Sequence, residues 1–462
     1  MTSMMKRQNG GGNPFQQHRL LAQIKDKPIS FVRAKNPEPV AIKPASYILI
    51  KPKQRDDDDD DSNTASTPSP ANTNFLPLSA TSDPGSRTPS KIQKAWKKGT
   101  PTPAGLINQG VTCYMNSAIQ MLMHMPAMSN YLADLLLTKK YPGSVSQVFA
   151  QLHGKLFGGK KHVFPRQLIN RLDDINCMMS EWNQEDAHEY FMSLMSRLQE
   201  DSTPKGAKLN SSVLYDMFGG NLEQIVVCGG CGNESKTQQD FYDLSVNLDE
   251  KKPESRISLK RCITRFFEEE QIQKKDGYKC DECKKTTSAK KTSRINEFPE
   301  HLVVHVKRFK FVNEQPKKMG APLDYPADLD LGHYSRDKDA GTVPYKLIGV
   351  IAHCGRTTGS GHYIAHVRQP SGKWATYDDD LIEPLSEKKA LKEEDAYMLM
   401  YQRLTPQASK PASGAKSIGM GTKKAAGRVT KPVVKTGKGQ RKMADIDNIF
   451  ASAKRKKNSG FV

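Results

Sequence analysis

The chain has 462 residues, and its 70 lysines and arginines against 50 aspartates and glutamates give a formal net charge of +20. Hydrophobic residues make up 36% of the chain, which is low for a protein folded throughout, so we expect part of it to be unfolded. No apolar run approaches the roughly 18 residues of a membrane span, so we expect no membrane association. The N-terminus lacks the apolar core of a secretory signal, so we expect cysteines that are thiols or metal ligands rather than disulfides.

Charge and composition divide the chain into three parts. Residues 1–102 carry 16 basic and 9 acidic side chains, and residues 405–462 carry 14 and 2. The first segment is rich in Pro, Ser and Thr and the second in Lys, Ala and Gly, so neither buries enough apolar surface to offset the entropy of ordering. We therefore predict disordered basic tails at 1–102 and 405–462 that flank one nearly neutral folded domain at 103–404. Tyr47–Ile50, with strand character, and Ile446–Phe450, with helix character, are interpreted as linear motifs in these tails.

The folded domain starts with helices and ends with strands. Apolar residues at helical spacing predict a helix that begins near Cys113 and is closed by Pro126. A second helix is predicted after Asn183, a suitable N-cap residue. Its apolar face comprises Ala187, Phe191, Leu194, Met195 and Leu198. Segments 301–311, 345–353, 362–369, 373–378 and 396–403 have strand character and no helix between them, which predicts an antiparallel sheet and an α+β protein.

Three of these segments carry residues suited to nucleophilic catalysis. A loop with two glycines delivers Cys113 to the start of a helix, where the partial positive charge favours thiolate over thiol. His362 follows a Gly-Ser-Gly turn, and the next strand ends in the run Asp378–Asp380. Adjacent antiparallel strands would place a carboxylate beside the imidazole, as in a nucleophile, base and acid assembly. Taken singly, the cysteine fits a buried core residue, the histidine a loop residue and the aspartates a solvated turn.

Five sequence boxes in one order extend this pattern. They are Asn108-x-Gly-x-Thr-Cys113, Gln184-Glu-Asp186-Ala-His-Glu189-Tyr, His-Val-Lys-Arg308-Phe309, Gly361-His362-Tyr363 and Trp374-x-x-Tyr-Asp378-Asp. The set resembles the ubiquitin-specific proteases over about residues 103–404. The resemblance implies a papain-like fold of thumb, palm and fingers, and a deubiquitinating cysteine peptidase that cleaves the bond after the C-terminal glycine of ubiquitin.

The resemblance assigns a role to each matching catalytic residue. It implies Cys113 as the nucleophile, His362 as the general base and Asp378 as the acid that orients the base. Asp379 matches a position that assists or substitutes in some members. Asn108 matches the amide of the oxyanion hole, where a donor is worth roughly 3 kcal/mol. No catalytic cofactor is implied.

Four further residues match positions that hold the ubiquitin tail. Asp186 and Glu189, expected on one helix face, match acids that pair with the two arginines of that tail. Phe309 and Tyr363 match aromatic residues that line a channel for its Gly-Gly end. Without the resemblance, the acids read as a solvated helix face and Phe309 as a core residue.

Two C-x2-C pairs predict a metal site. Cys228 with Cys231 and Cys280 with Cys283 supply four thiolates at the local spacing of a structural zinc. The 48 residues between the pairs exceed the usual spacing of a compact ribbon, which leaves four unrelated thiols as an alternative. The resemblance favours one structural zinc at the tip of the fingers.

The tails suggest partners other than ubiquitin and ubiquitinated proteins. Clusters at Lys423–Lys424, Arg441–Lys442 and Lys454–Lys457 are typical of nuclear import signals and of RNA or DNA binding, and equally of a solubilising tail. The run Asp56–Asp61 is a solvated segment or attracts basic proteins such as histones or ribosomal proteins. Basic tails resemble those of nucleolar members, so we expect the nucleus and its nucleolus, with the cytoplasm as the alternative.

Two other functions remain open from the sequence. One is a protease for a ubiquitin-like modifier, and the other is a non-catalytic scaffold that binds ubiquitin or RNA. The intact Cys, His, Asp and Asn set disfavours the scaffold. The acidic pair Asp186 and Glu189 favours a modifier whose tail carries two arginines.

Overall fold

The computed structural model describes residues 74–87, 92–248, 256–312, 315–357 and 360–407. The predicted motifs Tyr47–Ile50 and Ile446–Phe450, the run Asp56–Asp61 and the basic clusters lie outside these residues. Among the described helices, none has the length and apolar character needed to cross a membrane.

Helices form the first half of the folded domain. They are α1 (Cys113–Met123), α2 (Pro126–Thr138), α3 (Val145–Leu156), α4 (Arg166–Ile169), α5 (Leu172–Asn176), α6 (Ala187–Ser202), α7 (Val213–Phe218), and later α8 (Leu259–Phe267) and α9 (Glu387–Ala390). Every residue of α1 is buried, because this helix packs between α6 and the main sheet. The helical half corresponds to the predicted thumb.

Strands form the second half. They are β1 (Gly105–Leu106), β2 (His162–Val163), β3 (Gly220–Cys228), β4 (Glu234–Phe241), β5 (Leu244–Asn247), β6 (Ile257–Ser258), β7 (Glu270–Ile272), β8 (Tyr278–Lys279), β9 (Thr286–Thr287), β10 (Ala289–Glu297), β11 (His301–Lys307), β12 (Phe309–Val312), β13 (Gln315–Lys318), β14 (Leu323–Asp324), β15 (Asp328–Asp330), β16 (Pro344–Thr357), β17 (Ser360–Arg368), β18 (Trp374–Asp378), β19 (Leu381–Leu385) and β20 (Ala396–Arg403). The α+β class is therefore confirmed.

Most of the described strands belong to two sheets. The main sheet has the order β19-β18-β17-β16-β20-β11-β5, with β15 paired to β16, and corresponds to the predicted palm. Its neighbours are antiparallel as predicted, except that β11 and β5 run parallel. The smaller sheet has the order β4-β3-β10-β7 and, with the hairpin β8-β9, corresponds to the fingers.

The predicted strand at 301–311 is broken in two at Arg308. The guanidinium of this residue is fully buried and donates only to carbonyl oxygens. Its acceptors are Ala396 (2.8 Å), Met319 (3.0 Å), Ala321 (3.0 Å) and Glu394 (2.6 Å). A buried charge is tolerated when its donors are matched in this way, although burial lowers its pKa. The break lets β12 leave the sheet and pair with β13.

Helix α6 begins three residues later than the sequence predicts. Asp186, not Asn183, is its N-cap: the Asp186 carboxylate accepts from the backbone N–H groups of His188 (2.8 Å) and Glu189 (3.1 Å). Asn183 lies in the preceding turn, where its N–H donates to the carbonyl of Ser180. The apolar face predicted for this helix is buried, so that part is confirmed.

The prediction of disorder throughout residues 1–102 is wrong for 74–87 and 92–102. Lys94 is fully buried, and its Nζ lies 2.7 Å from Glu300 Oε2 and 2.6 Å from the carbonyl oxygen of Arg403. The other Glu300 oxygen accepts from the backbone N–H groups of Ser86 and Arg87. This stretch, which we call the N-terminal segment, is held by these polar contacts together with a few apolar side chains such as Ile92 and Leu78, so its Pro- and Ser-rich composition gave little sign of order.

Replacing Lys94 should test how much this segment stabilises the domain. Lys94→Met leaves the buried Glu300 carboxylate without its cation, so we expect the free energy of unfolding in urea to fall by about 3–5 kcal/mol. The exposed neighbour Lys97 provides the control, and Lys97→Met should change the free energy of unfolding by less than about 0.5 kcal/mol. Equal stability of the two variants would contradict a stabilising role for the ion pair.

Candidate active site

Cys113 is the first residue of α1 and is buried at the end of a tightly packed loop. The loop lies close to a second loop, because the N–H of Val111 donates to the carbonyl of Glu181 (3.3 Å). A β-carbon on Gly110 would lie 2.8 Å from the same carbonyl, so this approach requires glycine. Cys113 thus lies at the N-terminus of α1, where the partial positive charge of a helix start can stabilise developing negative charge.

His362 and Asp378 meet as the sequence predicts. They lie on the neighbouring antiparallel strands β17 and β18, and His362 Nε2 is 2.5 Å from Asp378 Oδ1. The pKa of His362 is raised to about 9. Its hydrogen bond with Cys113 is the largest cause, partial burial opposes the shift, and the hydrogen bond with Asp378 adds to it. The imidazolium is therefore favoured at neutral pH, as a thiolate partner requires.

Asp379 has a different partner from Asp378. Its Oδ2 accepts from Asn108 Nδ2 (3.0 Å) and its Oδ1 from Asn116 Nδ2 (2.8 Å). Its backbone has a φ of +53°, a left-handed conformation that aspartate tolerates better than most residues. The turn at this position therefore sends two successive carboxylates to two sites, one to the histidine and one to the asparagines.

Asn108 is held in one orientation by its hydrogen bonds. Its Oδ1 accepts from the N–H of Gly110 (3.2 Å), the N–H of Thr112 (3.1 Å) and the Thr112 hydroxyl (3.0 Å). These donors fix which end of the amide is the nitrogen. One Nδ2 hydrogen goes to Asp379, and the second has no partner among the described residues, so it can donate to a developing oxyanion.

Two positioning residues escaped the sequence analysis. Asn116 lies in the first turn of α1, and its side-chain amide donates a hydrogen bond to Asp379. The feature of the sequence that could have identified it is a polar residue on an otherwise apolar helix. Gln184, quoted only as part of a motif, pairs with the backbone next to the histidine: its Nε2 donates to the carbonyl of Gly361 (3.0 Å) and its Oε1 accepts from the N–H of Gly361 (2.9 Å). This pair ties the loop before α6 to the strand that carries His362.

The residues matched to the ubiquitin tail lie together beside α6. Tyr363 and Phe309 both contact His353, with ring centres 4.6 and 5.4 Å apart, and Phe309 also packs edge-on against Tyr397 at 5.7 Å. The Tyr397 hydroxyl donates to Asp186 Oδ2. These aromatic side chains form one wall next to the nucleophile.

The two acids do not share a helix face as expected. Asp186 precedes α6 as its cap, and both of its oxygens already accept hydrogen bonds. Glu189 is exposed in the first turn and accepts a hydrogen bond from Asn176 Nδ2 (3.3 Å). Glu189 lines a large cavity of about 3040 Å³, which is called the cleft below. The cleft lies between α5 and α6 on one side and β3, β4, β5 and β10 on the other.

The four predicted zinc ligands converge at the tip of the fingers. Cys228 Sγ lies 3.9 Å from Cys283 Sγ, and Cys231 Sγ lies 3.7 Å from Cys280 Sγ. Zinc–sulfur bonds of about 2.3 Å in a tetrahedron give sulfur separations of about 3.8 Å, so the thiols fit one structural zinc. The two pairs meet although they are far apart in sequence, because β10, which follows the second pair, lies beside β3, which ends at the first pair. Ala289 at the start of β10 is opposite Cys228.

Comparison with known proteins identifies relatives. Residues 104–401 match the family model described as ubiquitin carboxyl-terminal hydrolase. The chain is 42% identical over 409 residues to ubiquitin carboxyl-terminal hydrolase 10 of Saccharomyces cerevisiae, covering 72% of this chain but only 51% of that relative. It is 31% identical over 335 residues to the probable ubiquitin carboxyl-terminal hydrolase 16 of Schizosaccharomyces pombe, covering 69% of this chain and 71% of that one.

A solved structure shows the same fold. The match is the SAGA Ubp8/Sgf11/Sus1/Sgf73 DUB module bound to ubiquitin aldehyde, with a TM-score of 0.58 and 28% identity. It covers 66% of this chain and 70% of the matched chain.

Titration of His362 should separate the roles of the two aspartates. A raised pKa means that the imidazolium is present below about pH 9 and is lost as the pH rises through that value. Asp378→Asn should lower this pKa toward the ordinary 6.5, and Cys113→Ala should lower it further, because the cysteine is the larger cause. NMR titration of labelled histidine rings measures it, with His362→Ala to assign the signal.

Asp379→Asn is the matched control. Because its carboxylate bonds asparagines rather than the histidine, this change should leave the pKa of His362 nearly unaltered. A drop as large as that of Asp378→Asn would move the orienting role to Asp379.

Proposed function

The chain belongs to the ubiquitin carboxyl-terminal hydrolase family, and we propose that the whole protein is a thiol-dependent deubiquitinase that hydrolyses the bond after the C-terminal glycine of ubiquitin. The observation that carries the proposal is the position of His362. It bonds Asp378 on one side and faces Cys113 on the other, which is the arrangement that a cysteine protease needs. The chain covers about half the length of its budding-yeast relative, and the residues of the proposed reaction all lie in the domain described above.

The mechanism follows from the contacts of each residue. The Cys113 thiolate attacks the carbonyl of the terminal glycine, and the oxyanion accepts hydrogen bonds from Asn108 and from backbone N–H groups at the start of α1. His362 gives its proton to the departing amine, and the bond to that amine breaks to leave a thioester on Cys113. The neutral His362 then takes a proton from water, whose attack on the thioester releases ubiquitin and restores the thiolate. Asp378 keeps the ring oriented throughout.

Specificity is assigned to the residues beside α6. We assign the aromatic wall of Tyr363 and Phe309 to the Gly-Gly end of the tail, because glycine can pass close to aromatic rings without a side chain of its own. Glu189, exposed on the cleft, and Asp186, at the helix start, supply the negative charge that a tail with two arginines would meet. We therefore propose ubiquitin rather than a modifier without these arginines as the substrate.

Labelling with modifier-based probes tests the chemistry and the modifier together. Ubiquitin with a C-terminal electrophile should form a covalent adduct at Cys113, and Cys113→Ser should abolish turnover of a fluorogenic ubiquitin substrate while ubiquitin still binds. Glu189→Gln should raise KM with little change in kcat, because the lost charge contacts the tail and not the reacting bond.

Three outcomes would contradict the proposal in different ways. Turnover by Cys113→Ser would remove the nucleophile assignment. Faster labelling by another modifier would indicate a ubiquitin-like substrate. Ubiquitin binding by the parent chain without any labelling would indicate a scaffold.

We propose that residues 408–462 direct the protein to the nucleus and nucleolus and bind RNA. Support comes from composition alone: residues 405–462 hold 14 basic and 2 acidic side chains. Ribosomal proteins or histones are the proposed substrates of such a nucleolar enzyme.

Deleting residues 408–462 should weaken RNA binding and flatten its dependence on salt, because fewer phosphates are neutralised. A fluorescent fusion should leave the nucleolus, while turnover of a minimal ubiquitin substrate stays within about twofold. Replacing Lys454–Lys457 by glutamine separates the import signal from the RNA contacts. Retained nucleolar location and retained salt-dependent RNA affinity after the deletion would contradict the role of the tail.

A further inference from the structure

Three metal-ligating side chains lie together away from the catalytic residues and the fingers. His188 belongs to the first turn of α6, Asp243 directly precedes β5, and His305 lies in β11. One ligand atom of each lies within 4.8 Å of the others. We call this set the cleft cluster, because His188 and Asp243 line the cleft.

The spacing within the cleft cluster suits a metal ion. His188 Nε2 lies 3.3 Å from Asp243 Oδ2. Metal–ligand bonds of about 2.0–2.1 Å in a tetrahedron give ligand separations of about 3.3–3.4 Å. His188 Nε2 is buried, and its contact with Asp243 Oδ2 is an ion-pair contact rather than a well-aligned hydrogen bond, although a buried polar atom normally makes one. We propose that the cleft cluster binds a divalent transition metal such as zinc, at a site separate from the four thiols.

Ser245 supports two of the ligands. Its hydroxyl donates to Asp243 Oδ2 (2.7 Å) and is hydrogen-bonded to His305 Nδ1 (2.9 Å). Outer hydrogen bonds of this kind fix the orientation of metal ligands and raise affinity. Two imidazoles and one carboxylate also leave a fourth position of a tetrahedral ion open, and two of the three ligands, His188 and Asp243, line the cleft.

The two imidazoles stack on one another. Their ring centres are 3.7 Å apart and their planes differ by 11°. A shared ion needs nitrogens that converge, so one ring must turn. His305 is held by Ser245 and packs edge-on against Tyr397 at 5.0 Å, so we infer that the His188 ring tilts while its Nε2 stays near Asp243 Oδ2.

An ion at this site would join the two halves of the domain. One ligand comes from α6 in the helical half, and the other two come from β11 of the main sheet and from the residue that precedes β5. Resting on the proposed function, the ion would also add positive charge next to Glu189 and so weaken the binding of a basic ubiquitin tail.

Cobalt(II) titration of the full chain, with its fingers zinc retained, tests the site directly. We expect one added equivalent to give visible d–d bands without the thiolate-to-cobalt charge transfer that four cysteines would produce. His188→Gln and His305→Gln should abolish these bands, and Ser245→Ala should weaken affinity by about tenfold or more. His333→Gln, a change at an exposed histidine, should have no effect.

A second set of variants separates the two metal sites. Cys280→Ser should lose one equivalent of zinc by elemental analysis and keep the d–d bands of the cleft cluster. Thermal unfolding of each variant checks that it is folded. With the parent chain, added zinc should raise KM for the ubiquitin substrate, and His305→Gln should remove that effect.

Several results would overturn the proposal independently of enzyme activity. One is the absence of d–d bands in the parent chain, and another is bands that persist in folded His188→Gln and His305→Gln. Bands that appear only with thiolate charge transfer, and vanish in Cys280→Ser, would assign the cobalt to the fingers. If the parent chain binds cobalt as expected but cleaves no ubiquitin, the metal site stands and the proposed function fails.

Discussion

The active site depends on one backbone contact between the two halves of the domain. The N–H of Leu106 donates to the carbonyl of Asp379 (2.9 Å), and a β-carbon on Gly105 would lie 2.5 Å from the carbonyl oxygen of Asp380. Only glycine permits this approach. Because the nucleophile and the aspartates lie more than 260 positions apart in sequence, this contact, together with the packing of α1 on β17 and the bonds of Asn108 and Asn116 to Asp379, holds Asn108 and Cys113 beside the carboxylates.

The adjacent residues Asp378 and Asp379 bind different partners, and a single change of backbone conformation between them is sufficient for this. Asp378 ends β18 and follows the alternation of a strand, so its carboxylate reaches the histidine on β17. The left-handed conformation of Asp379 breaks that alternation and aims the next carboxylate at Asn108 and Asn116. The same turn thus orients the base and the oxyanion donor, and neither can shift without the other.

Residue type and spacing were sufficient to predict the strand pattern and to group Cys113, His362 and the run Asp378–Asp380, whereas Asn108 and the choice of Asp378 came from the family resemblance. The histidine–aspartate contact followed from antiparallel pairing, and the four thiols from their local spacing. The late start of α6 was missed because Asn183 and Asp186 are both good caps, and only the hydrogen bonds from the N–H groups of His188 and Glu189 to the Asp186 carboxylate show which one is used. The break at Arg308 was missed because an arginine inside an apolar run reads as part of the strand, and its four carbonyl acceptors come from distant segments.

The long-range contacts of the N-terminal segment determine when it can dock during synthesis of the chain. Ser86 and Lys94 are synthesised early, but their partners Glu300 and Arg403 follow 214 and 309 residues later. Contacts of such long range form late, because the intervening loop must close first. During synthesis the segment therefore waits without its partners, and it docks only when β20 has left the ribosome. Its docking marks the end of folding, and until then the segment is accessible to proteases and chaperones that would no longer reach it in the finished domain.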